Sequence, residues 1–427
     1  MKRLLIIAYY YPPLGMGGVK TVIPYAKYLA DYGWRPEVLT VKPIAYYAYD
    51  EALAAELAPH APVHRAGSLD PARLLRLLKG PGFRVNMGEG GLRHGGPLSR
   101  LQHALLVPDP KVLSAPFFYA AGRRLGRGGR YDALLVIAPP FSHLALADRL
   151  ARALHLPWTA HLGDRWVGGW VVNSRGLLAE PAARRGERRA VERARALLCA
   201  SPVEAELLRD RHPASSGKIA TAPLSFDPAL HARCPDHQPD SERFTVALVG
   251  TYRGDEGVLP VLEALRTLST TTKRRLELLH VGSANGPSVA ETAAKLGCAE
   301  LVRRTGQVDY TRSLTEMHRA DLLLLTVAAD NPHGLPGRTS DYIGSGRPIL
   351  LVSDNAAARR TLEHYGIGLT LRPGEEAAIR QALAAALDGS GPLARPTPPA
   401  ARAAFAAPRR AEQLARILET WYPPNDH

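Results

Sequence analysis

Cysteine, lysine and long apolar runs are scarce in this chain. Cys199, Cys234 and Cys298 are the three cysteines in 427 residues and no two stand in a C-x-x-C spacing. That excludes a disulfide framework and a thiolate metal site, and reads as reduced thiols in a cytoplasmic protein. No segment approaches the roughly 18 apolar residues that a membrane-spanning helix needs, so any membrane contact is expected to be peripheral. The start, Met1-Lys2-Arg3 followed by Leu4 to Ala8, is too short in its apolar part for a signal peptide and lacks a small-residue cleavage site. It reads as a first buried strand. Acidic residues are also in deficit: 54 Lys and Arg stand against 40 Asp and Glu, for a net charge of +14. Only nine of the basic residues are lysine, an arginine bias that a GC-rich genome produces by itself.

The basic excess is uneven. Between Arg65 and Arg130 twelve basic residues face Asp70, Glu89 and Asp109, and between Arg175 and Arg195 seven arginines face Glu180, Glu187 and Glu192. The rest of the chain is nearly neutral. With no zinc-finger spacing, no RNA-binding motif and no basic–aromatic interleaving, charge alone is left to argue for nucleic acid.

What is present is a repeated rhythm. Leu4-Leu5-Ile6-Ile7-Ala8 leads through a glycine-rich loop into a helix expected from about Thr21 to Tyr32, followed by a strand over Pro36–Val41. Strands are expected again at Ala133–Ile137 and Trp158–His161, with a helix to about Leu154 between them. The pattern restarts with strands at Phe244–Val249, Leu276–Val281, Asp321–Val327 and Pro348–Val352. Such alternation predicts an α/β fold of two Rossmann-like, doubly wound domains, with ligands at the carboxyl ends of the strands and a cleft between the domains. The polar, Pro-containing stretch after Asp227 supplies the boundary: an N-terminal domain over 1–226, a linker over 227–243, a second domain over 244–400 and a last segment over 401–427. In that segment Leu414, Ile417, Leu418 and Trp421 recur at helical spacing.

Two loops carry candidate chemistry. Gly15-Met16-Gly17-Gly18 opens the first helix; it is either a tight structural turn or a place where Gly17 and Gly18 let an anion meet free helix-start amides. The second runs from His333 to Leu350. There Pro336-Gly337 starts a helix whose first residues, Arg338 and Thr339, offer amides and a guanidinium fork to a diphosphate, while Asp341, one turn on, is placed to accept ribose hydroxyls.

Four segments together resemble the retaining glycosyltransferases of family 4, which have the two-domain GT-B architecture. They are Tyr9-Tyr10-Tyr11-Pro12-Pro13 through Gly18-Val19 to Leu29; Ile137-Ala138-Pro139-Pro140-Phe141-Ser142; His161-Leu162-Gly163-Asp164-Arg165-Trp166; and Leu335 to Leu350. The resemblance implies a nucleotide-sugar donor of the UDP or GDP class held by the second domain, and an acceptor side on the first. The closing helix would cross back to the N-terminal domain. It implies transfer with retention and no covalent enzyme intermediate, to a carbohydrate, lipid-linked or natural-product hydroxyl. Of the family's two acidic residues separated by seven others, the second falls on Asp341 and the first on His333. The family's lysine is Arg338, and Arg253, in Gly250-Thr251-Tyr252-Arg253, matches a phosphate-contacting arginine. His161 falls where some members carry a histidine that contacts the sugar or places the acceptor, and Asp164 and Trp166 are acceptor-side candidates. No cofactor beyond the donor and no metal are expected.

Three other readings remain beside it: a nucleotide-sugar epimerase or hydrolase on the same fold, a basic nucleic-acid-binding protein, and an inactive sugar-binding relative. By residues alone His161 reads as a structural histidine and His333 as a loop residue. Leu74 to Lys79 and the basic stretch to Arg100 are either a solvated insertion or a peripheral contact with an anionic membrane.

Overall fold

A computed structural model describes residues 1–15, 18–46, 48–83, 106–169, 179–254, 257–284, 286–327 and 334–421. The chain forms two compact units: Met1–Ser225 together with the C-terminal segment from Ala407, and Phe226–Ala406.

The first unit is built on seven parallel strands in the order β3-β2-β1-β4-β5-β6-β7. They are β1 Lys2–Ile7, β2 Trp34–Val41, β3 Val63–Ala66, β4 Ala133–Ala138, β5 Trp158–Leu162, β6 Ala196–Cys199 and β7 Ile219–Thr221. Leu4 to Ile7 and every residue of β4 are buried, as expected for strands covered on both faces, whose sequences read as unbroken apolar runs rather than alternating ones. The first helix is Val19–Tyr28, and a tighter turn, Leu29–Tyr32, ends at Gly33 in the left-handed region (φ 82°). The last helix, Ala407–Glu419, belongs to this unit and packs Ala411, Leu414, Ala415 and Leu418 onto the first helix and that turn. Gln413 Nε2 also donates to the Thr221 carbonyl of β7 at 2.8 Å.

The second unit repeats the plan with six parallel strands in the order β10-β9-β8-β11-β12-β13. They are β8 Arg243–Val249, β9 Arg275–Val281, β10 Val302–Gly306, β11 Leu322–Leu325, β12 Ile349–Val352 and β13 Leu369–Leu371. Residues 227–243 begin with a helical turn, Pro228–His231, capped by Asp227, whose carboxylate accepts from the Ala229 amide. No helix among the described residues of either unit is long and apolar enough to cross a membrane.

In both sheets the strand order reverses once, between β1 and β4 and between β8 and β11. In the second unit the reversal is pinned by Tyr342, a fully buried residue of helix Arg338–Ser345. Its hydroxyl accepts from the Val249 amide at 2.8 Å and donates to the Leu324 carbonyl at 3.2 Å, so one oxygen joins the ends of β8 and β11. Tyr342→Phe would leave the buried Val249 amide unpaired. Urea denaturation should then show a loss of about 1–3 kcal/mol, and a change within ~0.5 kcal/mol, the range of ordinary surface substitutions, would mean that the bridge does not hold this junction.

Candidate functional site

A reversal of strand order opens a crevice at the carboxyl ends of the two diverging strands, because the connecting helices pass on opposite faces of the sheet. In the second unit that crevice is lined by residues on either side of the reversal. β8 is followed by Gly250 (φ 118°), and β9 by Gly282 (φ 140°), where an added Cβ would sit 2.3 Å from the Gly250 oxygen. The two chain segments are stitched beyond that point: Tyr252 N donates to Ser283 O at 2.9 Å, Thr251 Oγ1 lies 3.2 Å from Ser283 Oγ, and His280 Nε2 donates to the Gly250 carbonyl at 3.1 Å. Burial holds His280 below the usual histidine range. Arg253 projects from this stitched turn and is exposed.

Two helices start here without a side-chain cap. Helix Val258–Ser269 begins at Gly257, where a Cβ would come within 2.2 Å of the Val352 carbonyl and 3.1 Å of Thr326 Cγ2. Helix Arg338–Ser345 begins at Gly337. Uncapped first turns leave backbone N–H groups and the positive end of the helix dipole available to an anion. Arg338 adds a full charge. Its Nη2 donates to the Thr326 carbonyl at the end of β11, and its Nη1 lies 3.0 Å from where a Cβ on Gly250 would stand. The guanidinium therefore lies across the reversal from β11 to β8. Arg338 Nε and the hydroxyl of the fully buried Thr339 have no hydrogen-bond partner among the described residues. Pro336 and Gly337 are half-buried beside them, and the Pro336 carbonyl accepts from the Thr339 amide at 2.9 Å.

Asp341 stands one turn further along the helix that Arg338 opens. It is 0% exposed. Tyr310 donates its hydroxyl to Asp341 Oδ1 at 2.7 Å, and His231 Nε2 stands 3.9 Å from the same oxygen. His231 Nδ1 is in turn 3.0 Å from His318 Nε2, and His318 is held down to about 4 by burial and by His231. The structure thus gathers Gly250, Pro336, Gly337, Arg338 and Thr339 at the reversal, with Asp341, one turn along the same helix, in a buried polar cluster with Tyr310 and His231. Gly17 and His333 lie outside the described residues.

In the first unit, His161 is an interior residue of β5, 1% exposed, with its Nδ1 2.8 Å from the Tyr25 hydroxyl. Burial, assisted by the Arg410 charge, pushes it down to about 3, so it is neutral at physiological pH. Gly18 opens the first helix, and a Cβ there would meet Tyr10 Cδ2 at an ordinary 3.6 Å, so sterics do not demand glycine at that position. Trp166 is a packing residue: it stacks on Phe141 (centroids 5.0 Å apart, 5° between planes), and its ring edge lies against Gly186. Asp164 follows β5, and burial raises its pKa.

Sequence reasoning missed the residue beside Asp164. Glu204, in the first turn of helix Pro202–Arg211 after β6, is 8% exposed, and no group among the described residues hydrogen-bonds its carboxyl. Burial first and the Asp164 charge second push it up to about 8, against a lowering by Arg165. Ser201-x-x-Glu204 has the spacing of a capping box, which gives such a glutamate a purely local purpose. Here Ser201 caps the Glu204 amide at 3.1 Å, but the carboxyl is not used in return.

No family model matches this chain, and no curated protein does. Solved structures do. HepE of Anabaena in complex with UDP is similar at a TM-score of 0.61 and 16% identity, over 98% of this chain and 100% of that one. Sucrose-phosphate synthase from Thermosynechococcus elongatus is similar at 0.64 and 16%, over 99% of each chain. A glycosyltransferase from Rickettsia africae is similar at 0.62 and 15%, again over 99% of each. At such identities the likeness establishes architecture: the chain has the GT-B fold, two Rossmann-like units each built on a parallel sheet.

Proposed function

We propose that this protein is an enzyme that transfers a sugar from a nucleotide-diphosphate donor of the UDP or GDP class to a hydroxyl acceptor, carbohydrate, lipid-linked or natural product, with retention of configuration. The observation that carries this reading is Arg338, a guanidinium laid across the strand reversal beside two uncapped helix starts. A departing diphosphate gains negative charge as the glycosidic bond breaks. Fixed cations and amides aimed at that charge favour the transition state over the bound donor. Arg253 is the second cation assigned to the diphosphate, Gly250, Pro336, Gly337 and Thr339 are the backbone and hydroxyl contacts, and Asp341, held by Tyr310, is assigned to the ribose. HepE has been crystallised with UDP-glucose and with UDP and glucose, which supports a donor and acceptor of these classes on this fold. Family 4 and retention rest on the resemblance carried by the four sequence segments together. The loop with Asp164 and Trp166 is assigned to the acceptor, and His161, neutral and enclosed, is given a positioning role behind it. The reading assigns diphosphate neutralisation to these cations without a metal.

Calorimetry with nucleotide sugars tests the donor site. Arg338→Ala should weaken the best donor by about 10- to 100-fold, the loss of one charged hydrogen-bonding group, and unchanged affinity would remove the assignment. Turnover should persist in excess chelator, and NMR of the product should show the donor's anomeric configuration.

The carboxyl pair Asp164 and Glu204 favours one second reading, a nucleotide-sugar epimerase or hydrolase, because a carboxyl that keeps its proton near neutral pH can act as a general acid. The readings separate when donor is incubated without acceptor: rapid epimerisation or hydrolysis that Glu204→Gln abolishes selects the second. The protonation itself is testable apart from activity. The folded protein retains on Glu204 a proton that an unfolded glutamate loses near 4.5, so stability falls as pH rises from about 4.5 to about 8. The melting temperature of Glu204→Gln relative to wild type should therefore rise from pH 5 to pH 8; a pH-independent offset would show that Glu204 is ionised in the folded state.

A further inference from the structure

Helix Pro71–Lys79 of the first unit is attached by the side chains that usually face water. Its N-cap, Asp70, is fully buried and accepts from the Ala72 and Arg73 amides (3.0 and 3.2 Å), from Tyr9 OH (2.5 Å), from the Ser68 hydroxyl and from Lys111 Nζ (3.2 Å). Arg73 donates to the Pro43 carbonyl. Arg76 donates to Tyr49 OH at 3.1 Å and to the Pro81 carbonyl at 2.8 Å, with its guanidinium over the Tyr49 ring. No residue of this helix is buried. Leu74, Leu77 and Leu78 share one face by their spacing and are 40%, 62% and 82% exposed. Leu69, just before the helix, and Phe117, packed against Gly67, are exposed as well. The amphipathic pattern is thus partly inverted: Arg73 and Arg76 bind the body of the unit while Leu74, Leu77 and Leu78 point outward.

An exposed leucine face of this kind marks an interaction site, because leaving it in water forgoes the burial that folding otherwise gains. The surrounding charge selects the partner. The two described acids of the Arg65–Arg130 tract, Asp70 and Asp109, are both buried and hydrogen-bonded. Lys79, and Arg123 and Arg124 on the Phe117-bearing helix Ala115–Leu125, are exposed. Docking of a second copy would bring these cations against themselves. Leucines that insert beside cations that meet headgroups are instead the two elements of peripheral binding to an anionic bilayer.

We infer that the face of helix Pro71–Lys79 bearing Leu74, Leu77 and Leu78 docks on an anionic lipid bilayer, with Leu69 and Phe117 extending the inserted patch. This stands apart from the assignment of glycosyl transfer and holds whether the acceptor is a lipid or a soluble sugar.

The test is flotation of the full-length protein with vesicles of phosphatidylcholine alone or with added phosphatidylglycerol. Binding should require the anionic lipid and weaken at high salt, through screening of the cations. Leu77→Asp/Leu78→Asp should lower the bound fraction about tenfold or more while leaving the circular dichroism spectrum and thermal midpoint unchanged, since both side chains are exposed. Absence of flotation on anionic vesicles, equal flotation on neutral ones, or an unaffected double variant would each overturn the inference. So would a concentration-dependent dimer, seen by sedimentation, that the double variant abolishes, because the face would then belong to a second copy.

Discussion

The candidate site of the second unit depends on the hydroxyl of Tyr342. The ladder between β8 and β11 pairs Leu322 with Val246 and Leu323 with Ala247. Beyond those residues the strands need another group to satisfy their backbone, since a buried amide without a partner is costly. Tyr342 supplies it from a helix, accepting from Val249 and donating to Leu324. Arg338 lies four residues earlier on that helix and so on the same face. One side chain therefore fixes the junction and, through the helix, brings a guanidinium to the ends of the same two strands. The glycines at the ends of β8 and β9 keep that space open: at Gly250 a side chain would press on Arg338, and at Gly282 on the Gly250 carbonyl.

Charge is distributed by a related logic in both units. Acids are drawn inward and surrounded by donors: Glu37 by Arg3, His64, Arg130 and Tyr131; Glu187 by Arg211 and His212; Asp70 by Tyr9, Ser68 and Lys111; Asp341 by Tyr310. A buried carboxylate is tolerable only with such partners. The consequence is a surface more basic than the net charge indicates. This ties the charge excess of the Arg65–Arg130 tract to the outward leucines of helix Pro71–Lys79: the tract's two described acids, Asp70 and Asp109, are buried, while Lys79, Arg123 and Arg124 are exposed.

Legibility in the sequence followed burial. β1, β4, β8, β9, β11 and β12 are apolar runs that announce themselves, because each is covered on both faces. Val-His-Arg-Ala of β3, Ile-Ala-Thr of β7 and Leu-Thr-Leu of β13 are edge strands of three or four residues, too short for a periodicity and defined by the partner strand. The two Ser-x-x-Glu sequences that open helices show the limit more sharply. At Ser288 and Glu291 both halves of the capping box form, with the Ser288 amide donating to Glu291 at 2.7 Å. At Ser201 and Glu204 the local signature is the same, yet Ser201 caps the Glu204 amide and the carboxyl does not close the box. No local rule separates the two, because the difference lies in what the adjacent strand carries.

By itself the sequence determined the α/β class, the two-domain plan, the Pro-Gly-Arg helix start and the concentration of charge in two tracts. Each is written in short-range pattern: runs of strand length, breakers, and charge along the chain. Tertiary structure alone decided that Arg338 spans β8 and β11, that Asp341 and His161 face inward, that burial near Asp164 raises the Glu204 pKa, and that the leucines of helix Pro71–Lys79 point out. These are properties of pairs of residues tens to hundreds of positions apart, and burial, hydrogen bonding and proton affinity depend on that through-space environment.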